Sequence, residues 1–208
     1  MSGPTDTHPI DLFPGRAGTI PRASCAAAAT DRLVLANGTH LRFRPIGPDD
    51  RDGLSRLFAR LTPESRRRRF LSPKRQLTAS ELAYLTDVDH VGHEAIVAVD
   101  QLDDSIVGVA RYVRVADRSG VADVAFAVAD EVQGMGVGTE LAELIVRRAR
   151  ANGFTLLTAT TLWENRPARV LLRRLQFRAL ASRGGEIELA LELKATEPAR
   201  TMPERTSK

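Results

Sequence analysis

The chain has 208 residues, 43% hydrophobic and 27% charged, which suits one folded domain and excludes a charge-driven disordered chain. No run approaches the ~18 consecutive apolar residues that a membrane span needs. The formal net charge of +4 permits phosphate or acidic partners without requiring them, and the single cysteine, Cys25, excludes an internal disulfide and a four-ligand zinc site, so a cytoplasmic location is expected.

Residues 1–30 read as a flexible tail, because Pro9, Pro14 and Pro21 break any apolar stretch and a secretory signal lacks its early positive charge. Cys25 and its four following alanines lack the preceding apolar run of a lipidation site. Residues 195–208, with Pro198 and Pro203, read as a second tail, leaving a folded unit at 31–194. Residues 39–46 alternate Leu41 and Phe43 against Arg42 and Arg44, the pattern of a half-buried strand. Pro48-Asp49-Asp50 opens a helix with the stripe Leu54, Leu57, Phe58 and Leu61. Thr62-Pro63-Glu64 starts another turn that leads into Arg66 to Arg69, and a short helix from Ser80 turns Leu82 and Leu85 inward. Residues 94–100 and 105–115 form a hairpin about Asp103-Asp104, and residues 121–128 form the next strand. A long amphipathic helix through Leu141, Leu144, Ile145 and Ala149 stops near Asn152-Gly153. A buried strand at 154–161, a helix at 165–175 with Pro167 in its first turn, and strands at 177–181 and 187–193 complete a mixed α/β order.

The junction at residues 130–139 (DEVQGMGVGT) carries Gly134, Gly136 and Gly138 just before the long helix. A helix N-terminus exposes unpaired amides with partial positive charge, and glycines let an anion approach them, so the loop can cradle phosphate. It is not a P-loop, since Thr139 and Glu140 stand where Lys-Ser/Thr is required. It is not a dinucleotide fingerprint either, since Thr139 or Leu141 occupies the place of the third glycine.

Gln133-Gly134-Met135-Gly136-Val137-Gly138 fits Gln/Arg-x-x-Gly-x-Gly/Ala and resembles the acetyl-CoA-binding signature of the GNAT superfamily of N-acetyltransferases. The strand ending Phe126-Ala127-Val128, the following helix and the downstream Asn165 agree, so the resemblance covers about residues 41–193. Residues 41–45, Asp49-Asp50, residues 65–70 and residues 86–93 are similar to the catalytic domain of bacterial Pat-type protein lysine acetyltransferases. The resemblance implies an α/β (α+β) domain with a mixed, mostly antiparallel central sheet flanked by helices. It implies that amides of Gln133, Gly134, Met135, Gly136, Val137, Gly138 and Thr139 hold the pyrophosphate of acetyl-CoA, while free backbone at Phe126, Ala127 and Val128, and Asn165, contact the pantetheine arm. Acetyl would pass directly to a primary amine, a protein lysine before a small amine.

In the Pat-like pattern a glutamate precedes the signature, and Asp123 matches it as the catalytic base, one methylene shorter and so able to act directly or through water. The bland reading makes Asp123 the outward polar residue of an alternating strand. Leu172 stands where many members have a tyrosine acid, and Gln176-Phe177 replaces a helix-capping Gly-Phe at a cost of roughly 1 kcal/mol if Gln176 is left-handed. The rival readings are a catalytically weak acetyl-CoA sensor and, from Arg66 to Arg69, a nucleic-acid-associated protein. No aromatics interleave with those arginines, so nucleic acid is not expected, and a solvated face or a rim toward the 3′-phosphate or an acidic substrate is preferred. His90 and His93, near Asp87, Asp89 and Glu94, lack settled ligand spacing, so no metal is assigned; His93 stays an alternative base. Trp163 is expected to pack in the core or groove. A homodimer stays open.

Overall fold

The computed structural model describes residues 31–193, so both expected tails, with Cys25 and Lys194, lie outside the described residues. Its strands are β1 (Arg32–Val34), β2 (His40–Pro45), β3 (His93–Asp100), β4 (Ile106–Arg114), β5 (Val121–Val128), β6 (Leu156–Leu162), β7 (Arg178–Arg183) and β8 (Glu186–Glu192). They form one sheet in the order β1-β2-β3-β4-β5-β6-β8-β7, antiparallel at every pairing except β5 with β6. The helices are α1 (Arg51–Arg60), α2 (Pro63–Phe70), α3 (Ala79–Thr86), α4 (Val137–Ala151) and α5 (Arg166–Arg174). This is the mixed α/β domain expected from the chain order. β1 is an addition: three residues are too short to show an alternation, and only pairing with β2 defines them.

The two faces of the sheet carry different helices. A Cβ added at Gly108 would meet Leu141 and Val137, and one at Gly138 would meet Val128, which puts Gly108 and Val128 on the α4 face. Leu141 and Ile145 of α4 are fully buried there. Val109, Arg111 and Ala127 face the other way, toward Leu54, Leu57 and Leu85 of α1 and α3. Strand side chains alternate with period two, so Asp123 lies on this second face with Ala127. Leu54, Leu57, Phe58 and Leu61 are all buried, as their helical spacing requires.

Arg44 on β2 makes two 2.7 Å hydrogen bonds to Asp50, fixing the start of α1 against the sheet. α3 begins with a capping box: Thr78 accepts from the Glu81 amide at 3.2 Å, and Glu81 accepts from the Thr78 amide at 2.8 Å. Trp163 is exposed, contrary to the expected packing, and Arg169 lies 4.1 Å over its ring. Trp163 lies just past the end of β6, where the guanidinium covers one face of the ring.

α5 ends in a Schellman motif. The Phe177 amide donates to Leu172 O and the Gln176 amide to Arg173 O, both at 2.9 Å, with Phe177 and Leu172 buried against the core. The motif forces Gln176 to φ 70°, a left-handed conformation that costs a side-chain residue and not glycine. Gln176→Gly is therefore expected to raise unfolding free energy by ~0.5–1 kcal/mol, read from denaturant midpoints at unchanged m-value.

Candidate active site

β5 and β6 are paired only over Val121↔Leu156, Ala122↔Leu157 and Asp123↔Thr158. Beyond Asp123, β5 stays paired to β4 as far as Val128 and β6 to β8 as far as Leu162, so the two parallel strands part. The gap opens a groove of about 470 Å³. Phe126, Ala127, Val128 and Asn165 line it, and so do Gln133, Gly134, Gly136, Gly138 and Thr139.

The register decides which backbone groups face the gap. The Ala129 amide donates to Val107 O at 2.8 Å, and β4–β5 pairing is unbroken, so Ala127 and Ala125 turn their peptide groups to β4. Phe126 and Val128 turn theirs to the open side. The Val128 carbonyl accepts from Gln133 Nε2 at 3.0 Å. Of the three residues expected to offer free backbone, Phe126 turns its peptide groups to the gap, Val128 only its amide, its carbonyl being taken by Gln133, and Ala127 presents only its side-chain face.

After β5 a 3₁₀ turn, Asp130–Val132, leads into the glycine loop. Gly134 (φ 76°) and Gly136 (φ 93°) take left-handed conformations that only glycine adopts without strain, and Gly136 is the N-cap of α4. The Gln133 amide donates to Asp130 O and the Thr139 amide to Gly136 O, so the two ends of the expected cradle point inward. The amides between them, Gly134 to Gly138, have no backbone acceptor among the described residues. They are a fan of donors at the positive end of a 15-residue helix. Val137 is fully buried in the core and the Met135 side chain is outside the groove lining, so these two contribute backbone alone. Across the gap, Asn165 caps α5 by accepting from the Ala168 amide at 3.3 Å.

Sequence reasoning missed the α5 wall. Pro167, Ala168, Leu171 and Arg174 line the groove, and their spacing marks one helix face, a signal that could have found them. It also missed how α2 divides the four-arginine run. Successive helical positions turn by about 100°, so each side chain leaves in its own direction. Arg66 donates to the carbonyls of Phe58, Ala59 and Arg75, Arg67 pairs with Glu164 beyond β6, and Arg68 and Arg69 both line the groove, Arg68 while paired with Glu64. The run is thus not one solvated face.

Asp130 joins α2 to the loop. It accepts from the Thr62 amide at 2.7 Å, from the Ser65 hydroxyl and from Gln133 Nε2 at 2.8 Å. Burial alone would raise its pKa, but these donors hold it below the usual carboxylate range. Asp123 shows the opposite balance. Burial pushes its pKa up to about 6, against the weaker pull of the Thr158 hydroxyl, which donates at 2.9 Å, and of Arg69. It sits where β5 and β6 part. Neither Asp123 nor His93, the other candidate base, lines the groove itself; His93 is pushed down to about 3 by burial and by Arg111, whose Nη1 it meets at 3.1 Å, so it cannot hold a proton near neutral pH.

A parted strand pair and a fan of amides at a helix start thus border one groove, with the buried Asp123 carboxyl where the strands part. The model of the acetyltransferase (GNAT) family matches residues 56–177. The chain belongs to the GNAT acetyltransferase family. It is an acyltransferase, and acetyl-CoA is its co-substrate. Acetyltransferase PA5475 of Pseudomonas aeruginosa is 31% identical over 156 residues, 73% of this chain and 83% of that protein. Acetyltransferase Pat of Mycolicibacterium smegmatis is 30% identical over 75% of this chain, which spans only 47% of that protein. The crystal structure of the GNAT domain of S. lividans PAT superposes with a TM-score of 0.72 at 27% identity, covering 79% of this chain and 97% of that one. Leu172, expected to stand where many members have a tyrosine, is buried inside the Schellman contact.

The Asp123 shift has a consequence for stability. In the unfolded chain this carboxyl titrates near 3.8 and in the fold near 6, so between those values the folded state binds more protons. Its contribution to stability therefore falls as pH rises from about 4 to 6 and then levels. Asp123→Asn lacks that fall. Unfolding free energies of the variant and the parent should diverge across this window in the variant's favour; parallel profiles would refute the buried, proton-holding carboxyl.

Proposed function

We propose that this GNAT enzyme acetylates a primary amine, a protein lysine before a small amine, with Asp123 as the base. What carries the reading is the position of Asp123: the last residue of β5 paired to β6, where the two strands part, with burial pushing its carboxyl up to about 6. The lysine acceptor rests on the likeness to Pat-type acetyltransferases and on the 30% identity with Pat.

In this mechanism the amides of Gly134 to Gly138 take the pyrophosphate, with Gln133 and Thr139 shaping the two ends of the cradle. Phe126 and Val128 offer edge backbone to the pantetheine arm, and Asn165 stands opposite them. Arg68 and Arg174 add positive charge to the groove wall. A lysine amine is ~99.9% protonated at neutral pH, so attack needs an acceptor for its proton. Asp123 takes that proton, directly or through one water. The nitrogen then bonds to the acyl carbon, the carbon–sulfur bond breaks, and the thiolate leaves. One of the two protons lost by the ammonium ends on the thiol and the other in water. A thiol pKa near ~8.5 makes the thiolate a fair leaving group unaided, which suits the absence of a hydroxyl at Leu172.

The test is release of free thiol from acetyl-CoA with lysine peptides. Asp123→Asn should lower kcat ~100-fold with the acetyl-CoA dissociation constant kept. A base must be deprotonated, so kcat should climb with pH up to about 6 and flatten above it, the value set by burial of Asp123. Binding of acetyl-CoA without thiol release from any amine would turn the reading into an acetyl-CoA sensor.

Gly138 tests the cradle without backbone strain. Its φ is ordinary, and a Cβ there would stand 3.7 Å from both Leu171 and Val128, inside the groove. Gly138→Leu should abolish acetyl-CoA binding in calorimetry while leaving the far-ultraviolet dichroism unchanged; full affinity would remove the loop from the donor site.

A further inference from the structure

Arg69 and Arg111 both line one small cavity on the α1–α3 side of β5. Arg69 comes from the last turn of α2 and Arg111 from the middle of β4. The cavity measures about 30 Å³. At roughly 10–15 Å³ for each water-sized group it holds about two, the bulk of a carboxylate. The remaining wall is apolar, with Leu54, Leu57, Leu85 and Val109.

The two cations are poorly compensated. Arg111 Nη1 donates to Leu85 O at 3.2 Å and to His93 Nε2 at 3.1 Å. Arg69 Nη1 is out of contact with solvent and has no hydrogen-bond partner; its guanidinium lies 4.9 Å over the Phe70 ring. Among the described residues neither arginine has a carboxylate within ion-pair distance, and Asp123 attracts Arg69 only from farther away. Burial lowers Arg69 to about 10, and burial together with repulsion from Arg69 lowers Arg111 to about 9, so both stay charged at neutral pH. A desolvated cation without a counter-ion is costly, and an anion in the cavity removes that cost.

The route into the cavity selects the anion. Leu61, Arg69 and Ala127 line both the cavity and the large groove, while Leu54, Leu57 and Leu85 close the other side as core. A group that reaches the arginines from the groove therefore passes beside Ala127, between the two residues that offer edge backbone to a thioester lying there.

The geometry points to an acyl-tail subsite in which Arg69 and Arg111 receive the terminal carboxylate of a short dicarboxylic acyl group, so that the enzyme takes succinyl-type thioesters as well as acetyl-CoA. This rests on the groove being the coenzyme A site. The transfer makes and breaks the same bonds as before, nitrogen to acyl carbon and carbon to sulfur, and the distal carboxylate is untouched.

Calorimetry on the full chain with acetyl-CoA, butyryl-CoA and succinyl-CoA tests it, since butyryl is the neutral chain of equal carbon number. Succinyl-CoA should bind at least ~10-fold more tightly than butyryl-CoA, and Arg69→Met should erase that difference. Equal or tighter butyryl-CoA binding by a protein that binds acetyl-CoA overturns the subsite alone, and this parent comparison decides even where the variant folds poorly. A preference that survives Arg69→Met also overturns it. So does an effect of Arg69→Met confined to the acceptor KM, which would put the carboxylate on the amine substrate. Failure of all three thioesters to bind overturns the groove reading itself and the subsite with it.

Discussion

The parting of two parallel strands after Asp123 is the constraint on which the site depends. Strand β5 keeps its antiparallel partner on one edge and loses β6 on the other, so the peptide groups of Phe126 and Val128 are presented to a gap. Such groups demand hydrogen-bond partners. A sheet that leaves them open in its middle has a built-in place for an extended ligand, which can pair there as an added strand does. The groove and the place of Asp123 at the point of parting both follow from this one break in pairing, and the glycine loop stands at the groove's head.

The break is held open from both sides. Asp130 and Gln133 fasten the loop after β5 to the start of α2, and Arg60 pairs with Glu131 beside them. Arg67 reaches across to Glu164, next to the residues that begin α5. These exposed ion pairs are individually worth little. Their value is geometric, since they keep α2 over the groove and bring Arg69 down between it and the small cavity.

Charge is distributed unevenly about the reacting end. Amides and arginines make the groove electropositive, which suits a phosphate-rich thioester. Asp123, buried on the same face as Arg111, is pushed toward its neutral form, yet Arg69 draws it back toward ionisation. The carboxyl is thus pushed up to about 6 by burial, with a smaller push from Glu188, against the pull of the Thr158 hydroxyl and of Arg69.

Some of this was legible along the chain. Gly134 and Gly136 announce themselves because a left-handed backbone before a helix admits few other residues, and the α4 stripe follows from a 3.6-residue period. Strand β5 could be read in full from its apolar run. Even the misfit at Gln176 was visible, since helix ends have local chemistry. Other features were not. Strand β1 is three residues held by its partner, Trp163 lacks any local mark of exposure, and four consecutive arginines look alike until a helix turns them apart. Local sequence determined elements, caps and the amide fan, because those depend on backbone geometry within a few residues. Only the tertiary structure decided where β5 and β6 separate, which peptide groups face the gap and which arginines line it, because those follow from register and packing between segments distant in the chain.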